Sequence, residues 1–169
     1  DGARHIFRSR RPPFEEDKPV WVYDLSPLRE AEQKFFTWTC LKQIFSQAKE
    51  TGVKAGASDV ETVIVLDEAH KFFSPKEGNI LDEISKEARK FGVSLICASQ
   101  SPTHFSEDFL SNVGTKILLG LDAMFHDQTV RRMRIEPGIL DYVVAGKIAA
   151  IQVSDKRNMS HRFVKTRVG

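Results

Sequence analysis

Features typical of membrane, secreted and zinc-binding proteins are absent from this chain of 169 residues. No apolar run approaches the roughly 18 residues that a membrane-spanning helix needs. No Cys and His cluster has zinc spacing, and the only cysteines, Cys40 and Cys97, fall in a predicted helix and a predicted strand. We expect these two thiols to be buried in a reducing compartment. The chain has no initiator Met and no signal peptide, so we expect a cytoplasmic fragment of a longer protein.

A net charge of +2 is too small to indicate nucleic-acid binding by itself. A phosphate-binding loop of the pattern G-x-x-x-x-G-K-[ST] is also missing. The chain nevertheless has V-I-V-L-D-E-A-H at residues 63–70, in which four apolar residues run into two adjacent carboxylates. The apolar run predicts a buried strand of a parallel sheet. Open α/β sheets bind their ligands at the carboxyl ends of such strands.

Phosphoryl transfer gives the two acids a possible role. An Asp at a strand end can hold Mg²⁺, usually through its waters, and a second carboxylate can orient and activate the attacking water. Asp67 and Glu68 suit these two roles. The alternative is a strand that simply ends in an exposed acidic turn.

Two further polar residues flank the next predicted strand. Gln100 ends it at the same edge of the sheet, where an amide can bond to both a γ-phosphate and the attacking water. Arg89, with Lys90, closes the preceding helix, and a guanidinium that crosses a subunit interface can stabilise transition-state charge as an arginine finger. The alternative for Arg89 is helix-dipole stabilisation or simple solvation.

Strands alternate with helices along residues 20–169, whereas residues 1–19 are predicted to be a linker or surface loop. The predicted strands are residues 20–25, 63–66, 94–99, 116–121, 148–153 and 162–168, and the last two predict a terminal hairpin. The predicted helices are residues 26–52, 80–91, 106–112, 122–133 and 139–144. This order predicts an α/β fold with three α/β/α layers around a mainly parallel sheet.

The first predicted helix has two features that the structure can test. Ser26 and Pro27 are typical of an N-cap and a first helical position. An aromatic stripe that includes Phe35, Trp38 and Phe45 follows at helical spacing, and we expect it to pack against the sheet.

Three blocks in order resemble the FtsK-HerA superfamily of P-loop motors, and most of all its HerA branch. They are V-I-V-L-D-E-A-H-K-F at 63–72, E-A-R-K-F-G-V-S-L-I-C-A-S-Q-S-P at 87–102 and L-S-N-V-G-T-K-I-L-L-G-L at 110–121. The first resembles the Walker B strand, the second the helix and sensor strand, and the third the strand that follows. The resemblance spans roughly residues 20–168 and implies a RecA-like P-loop NTPase fold.

By this resemblance, Asp67 is the magnesium-side Walker B acid, Glu68 the catalytic glutamate, Gln100 the sensor and Arg89 the finger. Asn112 and Thr115 are weaker candidates for the same surface. The resemblance also implies ATP and Mg²⁺ as cofactors, a hexameric ring, double-stranded DNA as substrate and a possible nuclease partner. One setting for such a motor is a bacterial defence or restriction system.

The sequence departs from the superfamily by lacking the Walker A loop and its strand. In the superfamily that strand lies between the sensor strand and the next one. We therefore expect the chain to close the gap between residues 94–99 and 116–121, to distort there, or to receive the strand from another segment. Because no loop cradles the β- and γ-phosphates, we expect the isolated chain to bind ATP poorly.

Three alternatives stay open at this point. The letters D-E-A-H at 67–70 also spell motif II of DEAH-type helicases, in which His70 would couple nucleotide to nucleic acid. Conjugation and type IV secretion ATPases have similar blocks. An ATPase-like domain that serves assembly or partner binding without turnover is the third alternative.

Contact with DNA phosphates would need exposed cations, because such motors hold duplex phosphates without reading sequence. The candidates are Arg131, Arg132, Arg134, Lys156 and Arg157, each of which is otherwise a solvated surface residue.

Overall fold

The computed structural model describes residues 18–53, 60–73, 80–154 and 162–169. The helices are α1 (Glu30–Thr51), α2 (Ile80–Glu87), α3 (Glu107–Asn112), α4 (His126–Met133) and α5 (Pro137–Leu140). The strands are β1 (Thr62–Leu66), β2 (Val93–Cys97), β3 (Thr115–Leu118), β4 (Ile148–Val153) and β5 (Val164–Arg167). Short 3-10 turns follow β1 at Ala69–Phe72 and β2 at Pro102–His104, and one at Ala88–Phe91 continues α2. Strands alternate with helices, so the predicted α/β class is confirmed.

Strands β1 and β2 form a parallel pair, as the apolar runs predict. Their register pairs Thr62 with Val93 and Leu66 with Cys97. The helical segment between them ends at Gly92, which has φ of 70° in the left-handed region that favours glycine. This parallel pairing brings the carboxyl ends of both strands to one edge.

Strands β3, β4 and β5 form a separate antiparallel sheet in that order. The β4–β5 pairing confirms the predicted terminal hairpin, whose turn at residues 155–158 lies outside the described part of the chain. The sequence predicted one mainly parallel sheet, but the described residues form a parallel pair and an antiparallel sheet. The reason is that β3 pairs with β4 of the hairpin and not with β2.

The break between β2 and β3 lies where the sequence predicts a missing strand. No β2–β3 pairing occurs in the residues that the structure describes, so direct pairing does not close the gap. One face of β1 is also uncovered, since Val63 and Val65 are 55% and 66% exposed. The expectation of a fully buried strand is therefore wrong for this face, while Ile64 and Leu66 on the other face pack on the core.

The N-terminal part of the described chain differs from the prediction. Residues 20–25 form no strand, and Val20 and Val22 are largely exposed. A strand needs a neighbour for its backbone hydrogen bonds, and the described residues give this segment none in a sheet. The helix begins at Glu30 rather than after Ser26, because the Glu32 carboxylate caps the backbone N–H of Arg29 at 2.9 Å.

Helix α1 packs only its C-terminal half into the core. Leu41 and Phe45 are buried with α2 and the start of β2, whereas Phe35 and Trp38 are each 45% exposed. The predicted burial of the aromatic stripe is thus wrong for these two residues. Of helix α1, only residues from Leu41 onward belong to the core cluster that packs against the two-stranded sheet.

The two thiols are free and half-buried rather than fully buried. None of the helices that the structure describes is long and apolar enough to cross a membrane.

Candidate functional site

The predicted site residues at the ends of β1 and β2 lie together. After the last paired residues, Ala98 N–H donates to Leu66 O at 2.9 Å and Ala69 N–H donates to Ala98 O at 2.9 Å. These two bonds hold the chain segments together beyond the strands. Glu68 and Gln100 consequently face each other, and the Gln100 Nε2 amide donates to Glu68 Oε1 at 3.0 Å.

Asp67 and Glu68 form a tight acidic turn. The Asp67 Oδ1 atom accepts a hydrogen bond from the Glu68 backbone N–H at 2.9 Å. Glu68 has φ of 48° and ψ of 42°, in the left-handed region that residues with a Cβ rarely adopt. Such strain costs about 1–3 kcal/mol and is found mostly at functional sites. The turn directs the Glu68 side chain back toward the end of β2.

The donor set at this edge fits a magnesium ion that is also held by phosphate. Mg²⁺ is usually bound by one or two carboxylates, waters and substrate phosphates, not by a protein cage. Asp67 is exposed, and its Oδ1 already accepts a backbone hydrogen bond. No group of three or more His, Cys, Asp or Glu in the described residues could hold a metal by itself.

Two histidines extend the network, and sequence reasoning missed most of it. His70 Nδ1 lies 3.5 Å from Glu68 Oε2. The His70 and His104 rings lie 4.4 Å apart between centroids and are tilted by 34°. Ser99 Oγ lies 2.8 Å from His104 Nδ1. Sequence reasoning left His70 open between coupling nucleotide to nucleic acid and a local hydrogen bond, and gave no role to His104 or Ser99. The available signal was that Ser99 precedes Gln100.

The charge state of His104 follows from its surroundings. Partial desolvation, and then the neighbouring His70, lower the pKa of His104, while Glu68 acts in the opposite direction. His104 is therefore neutral at physiological pH and adds no charge at its ring contact with His70.

Arg89 lies at the opposite end of β2 from Glu68 and Gln100. It belongs to the 3-10 turn that precedes β2, and its side chain is exposed. A five-residue strand is roughly 16 Å long, so Arg89 cannot reach the Glu68 edge of its own chain. Any contact of Arg89 with phosphate would have to be made to a second molecule.

The weaker candidates have mixed surroundings. The Asn112 amide donates to Asp108 O at 2.7 Å within α3, and Thr115 is exposed at the start of β3. Arg132 donates to Phe105 O at 2.7 Å, which gives it a structural contact. Arg131 and Arg134 are exposed. Lys156 and Arg157 lie outside the described residues.

The fold is similar to that of solved NTPases. The chain resembles the genome-packaging NTPase B204 of Sulfolobus turreted icosahedral virus 2, solved in complex with ATP-gammaS. The TM-score is 0.60 at 17% identity, and the match covers 88% of this chain and 66% of that one. VirB4 of Thermoanaerobacter pseudethanolicus matches with a TM-score of 0.59 at 17% identity, over 87% of this chain and 39% of that chain. The fold is therefore that of part of a P-loop ATPase.

The sequence relationship is more specific. The DNA double-strand break repair helicase HerA of Pyrococcus furiosus is 32% identical over 130 residues, which cover 59% of this chain and 24% of that protein. The HerA-like character predicted from the three sequence blocks is thereby confirmed. The chain spans about a quarter or less of the curated relatives it matches. No protein-family model matches the chain.

Proposed function

We propose that this chain is the C-terminal portion of the ATP-hydrolysing domain of a HerA-like DNA translocase or helicase. The observation that carries the proposal is the hydrogen bond between Gln100 and Glu68 beside Asp67, at the carboxyl ends of two parallel strands. The relationship to HerA helicases and the fold of a P-loop ATPase support it.

Each residue of the edge has a role that its geometry allows. Asp67 would hold Mg²⁺ through water, and the ion would neutralise charge on the phosphates. Glu68 orients the attacking water and takes up its proton. Gln100 is hydrogen-bonded to Glu68 in this structure and can exchange that bond for one to a γ-phosphate.

The position of Arg89 favours action between subunits. Its exposed side chain at the opposite end of β2 would stabilise transition-state charge on the ATP of a neighbour in a ring. The ring, a hexamer by resemblance, would move double-stranded DNA in the cytoplasm, and a nuclease partner is a further part of the proposal. The phosphate-binding loop would come from a segment outside this sequence.

The test is DNA-stimulated ATP hydrolysis by the full-length protein that contains these residues. The Glu68→Gln variant keeps the size of the side chain but removes the base, and we expect its stimulated turnover to fall at least a hundredfold. Lys71→Ala, an exposed neighbour, is the control and should retain turnover. Undiminished hydrolysis by Glu68→Gln in a well-folded protein would contradict the proposal.

The role of Arg89 has its own test. An Arg89→Ala protein and a Glu68→Gln protein, each inactive alone, should regain hydrolysis when mixed in one assembly. In such mixed rings an intact Glu68 meets an intact Arg89 across an interface. If mixing restores nothing although both variants assemble together, Arg89 does not act in trans.

A further inference from the structure

At the carboxyl ends of β1 and β2, a chain of side-chain contacts connects Glu68 to residues that are not proposed for catalysis. It begins at Ser99, passes through the touching rings of His104 and His70 and ends at the Glu68 carboxylate. Its members come from both strand ends, since His70 lies in the turn after β1 and His104 in the turn after β2. The contacts therefore link the two segments that must keep a fixed distance for Glu68 to act.

In this chain of contacts, His70 has a polar atom without a hydrogen-bond partner among the described residues. Its Nδ1 atom is buried and makes no hydrogen bond within the described part of the chain. The Glu68 Oε2 atom at 3.5 Å is beyond good hydrogen-bonding distance but within reach after a shift of a few tenths of an ångström. A buried polar nitrogen without a partner is costly, so its position beside a carboxylate calls for a physical reason.

The two oxygens of Glu68 are divided between two neighbours. Gln100 donates to Oε1, and His70 faces Oε2 from the other side. The His104 ring contacts the His70 ring with its centroid 4.4 Å away and is itself anchored to Ser99 Oγ at 2.8 Å. The carboxylate is thus confined on both sides while its backbone is held in a strained conformation.

We propose that His70 and His104 are positioning residues, whose imidazole rings contact each other and hold the Glu68 carboxylate in line for its reaction. The inference rests on the proposed function, because it needs Glu68 to be the catalytic base. When Gln100 leaves Glu68 for a bound γ-phosphate, the His70 contact remains and limits rotation of the carboxylate. Holding a catalytic group in a near-attack geometry is worth orders of magnitude in rate.

The test uses steady-state ATP hydrolysis by the full-length protein, with kcat and KM measured separately. His70→Phe keeps the ring that contacts His104 but removes the nitrogen that faces Glu68. We expect kcat to fall about tenfold, while KM for ATP stays within about twofold of the unsubstituted protein's value. His70→Asn places an amide near the Nδ1 position and should recover part of the lost kcat. If His70 had a purely structural role, kcat would not fall while KM stays unchanged, and Asn would not recover the lost kcat.

The second variant changes His104, which affects Glu68 through His70 and not directly. His104→Ala removes the ring that contacts His70, and we expect a smaller loss of kcat than in His70→Phe. Combined with His70→Phe it should add little, because the two residues act as a unit. If the His70 variants do not fold, His104→Ala alone decides, since an unchanged kcat in this variant would overturn the proposal.

The outcomes separate the two proposals. If Glu68→Gln abolishes turnover while His70→Phe and His104→Ala leave kcat unchanged, the positioning role is wrong and the proposed function stands. If Glu68→Gln retains turnover, the proposed function fails and the positioning role fails with it. A parallel loss of kcat and rise of KM in His70→Phe, without rescue by Asn, would also overturn the positioning role.

Discussion

Glu68 combines a functional side chain with a backbone conformation that is unfavourable for it. Its φ of 48° is one of two positive values found for non-glycine residues in the described chain. The neighbouring hydrogen bonds from Ala69 to Ala98 and from Ala98 to Leu66 hold the turn in place. Strained residues persist only where the surroundings fix them, which is the case here. The strain is consistent with the role proposed for this carboxylate.

Cys97, the last residue of β2, offers a residue-scale test of how tightly the strand end is packed. Burial raises the pKa of Cys97 to about 12. Because only the thiolate reacts, its alkylation at pH 8 should be about a thousandfold slower than that of an ordinary thiol. The rate should then rise about tenfold per pH unit up to pH 10, since the thiolate fraction does.

The measurement is iodoacetamide labelling of a Cys40→Ser variant, followed by mass spectrometry. The same variant in urea serves as the reference for an exposed thiol. Labelling of the folded chain at the rate of the unfolded one would show that the end of β2 is open to solvent.

At the scale of elements, the residue that follows α4 has a backbone conformation that is unfavourable for a residue with a side chain. Arg134 follows the helix with φ of 53° and ψ of 41°, the position at which glycine is favoured. It also contributes, after burial, to the lowered pKa of Lys116. Arg134→Gly should therefore raise the free energy of unfolding by about 1 kcal/mol.

The matched control is Arg131→Gly, which removes the same charge from inside α4 and should lower the free energy of unfolding by up to about 1 kcal/mol. Urea unfolding of the two variants should give opposite shifts of the midpoint with unchanged slope. Equal destabilisation by both would mean that Arg134 is not in a left-handed conformation.

The elements also show what the sequence can predict. Strands β1, β2 and β4 follow from local signals, since each contains a run of apolar residues, and helix α3 begins after the N-cap Ser106. Residues 20–25 have the same local signal but form no strand, because strand formation depends on a neighbour that the sequence does not specify. The partner of β3 was missed for the same reason.

The candidate site was predictable in part. Asp67, Glu68 and Gln100 follow apolar runs, and parallel pairing alone brings such residues to one edge. The contacts of His70, His104 and Ser99 depend on two 3-10 turns that have no periodic pattern. Local sequence therefore identifies the residues at the strand ends and leaves the tertiary contacts between turns unpredicted.

At the scale of the whole molecule, the described residues have the fold of part of a P-loop ATPase and leave one sheet face and several strand edges uncovered. The outer face of the parallel pair exposes Val63, Val65 and Ile96, and within the described chain β2 and β3 each have one unpaired edge. In a complete α/β sheet both faces are covered and such edges are paired. The proposed site likewise has acids and a sensor but no phosphate-binding loop. Sheet and site are thus incomplete in the same way.

The central claim is that the Glu68 and Gln100 edge lies at the γ-phosphate of ATP. The most direct measurement is a structure of the full-length protein with Mg²⁺ and a non-hydrolysable ATP analogue. The account predicts the γ-phosphate beside Gln100, with a water between it and the Glu68 carboxylate and the ion near Asp67. Nucleotide phosphates bound away from this edge, with the Gln100 to Glu68 hydrogen bond unchanged, would contradict it.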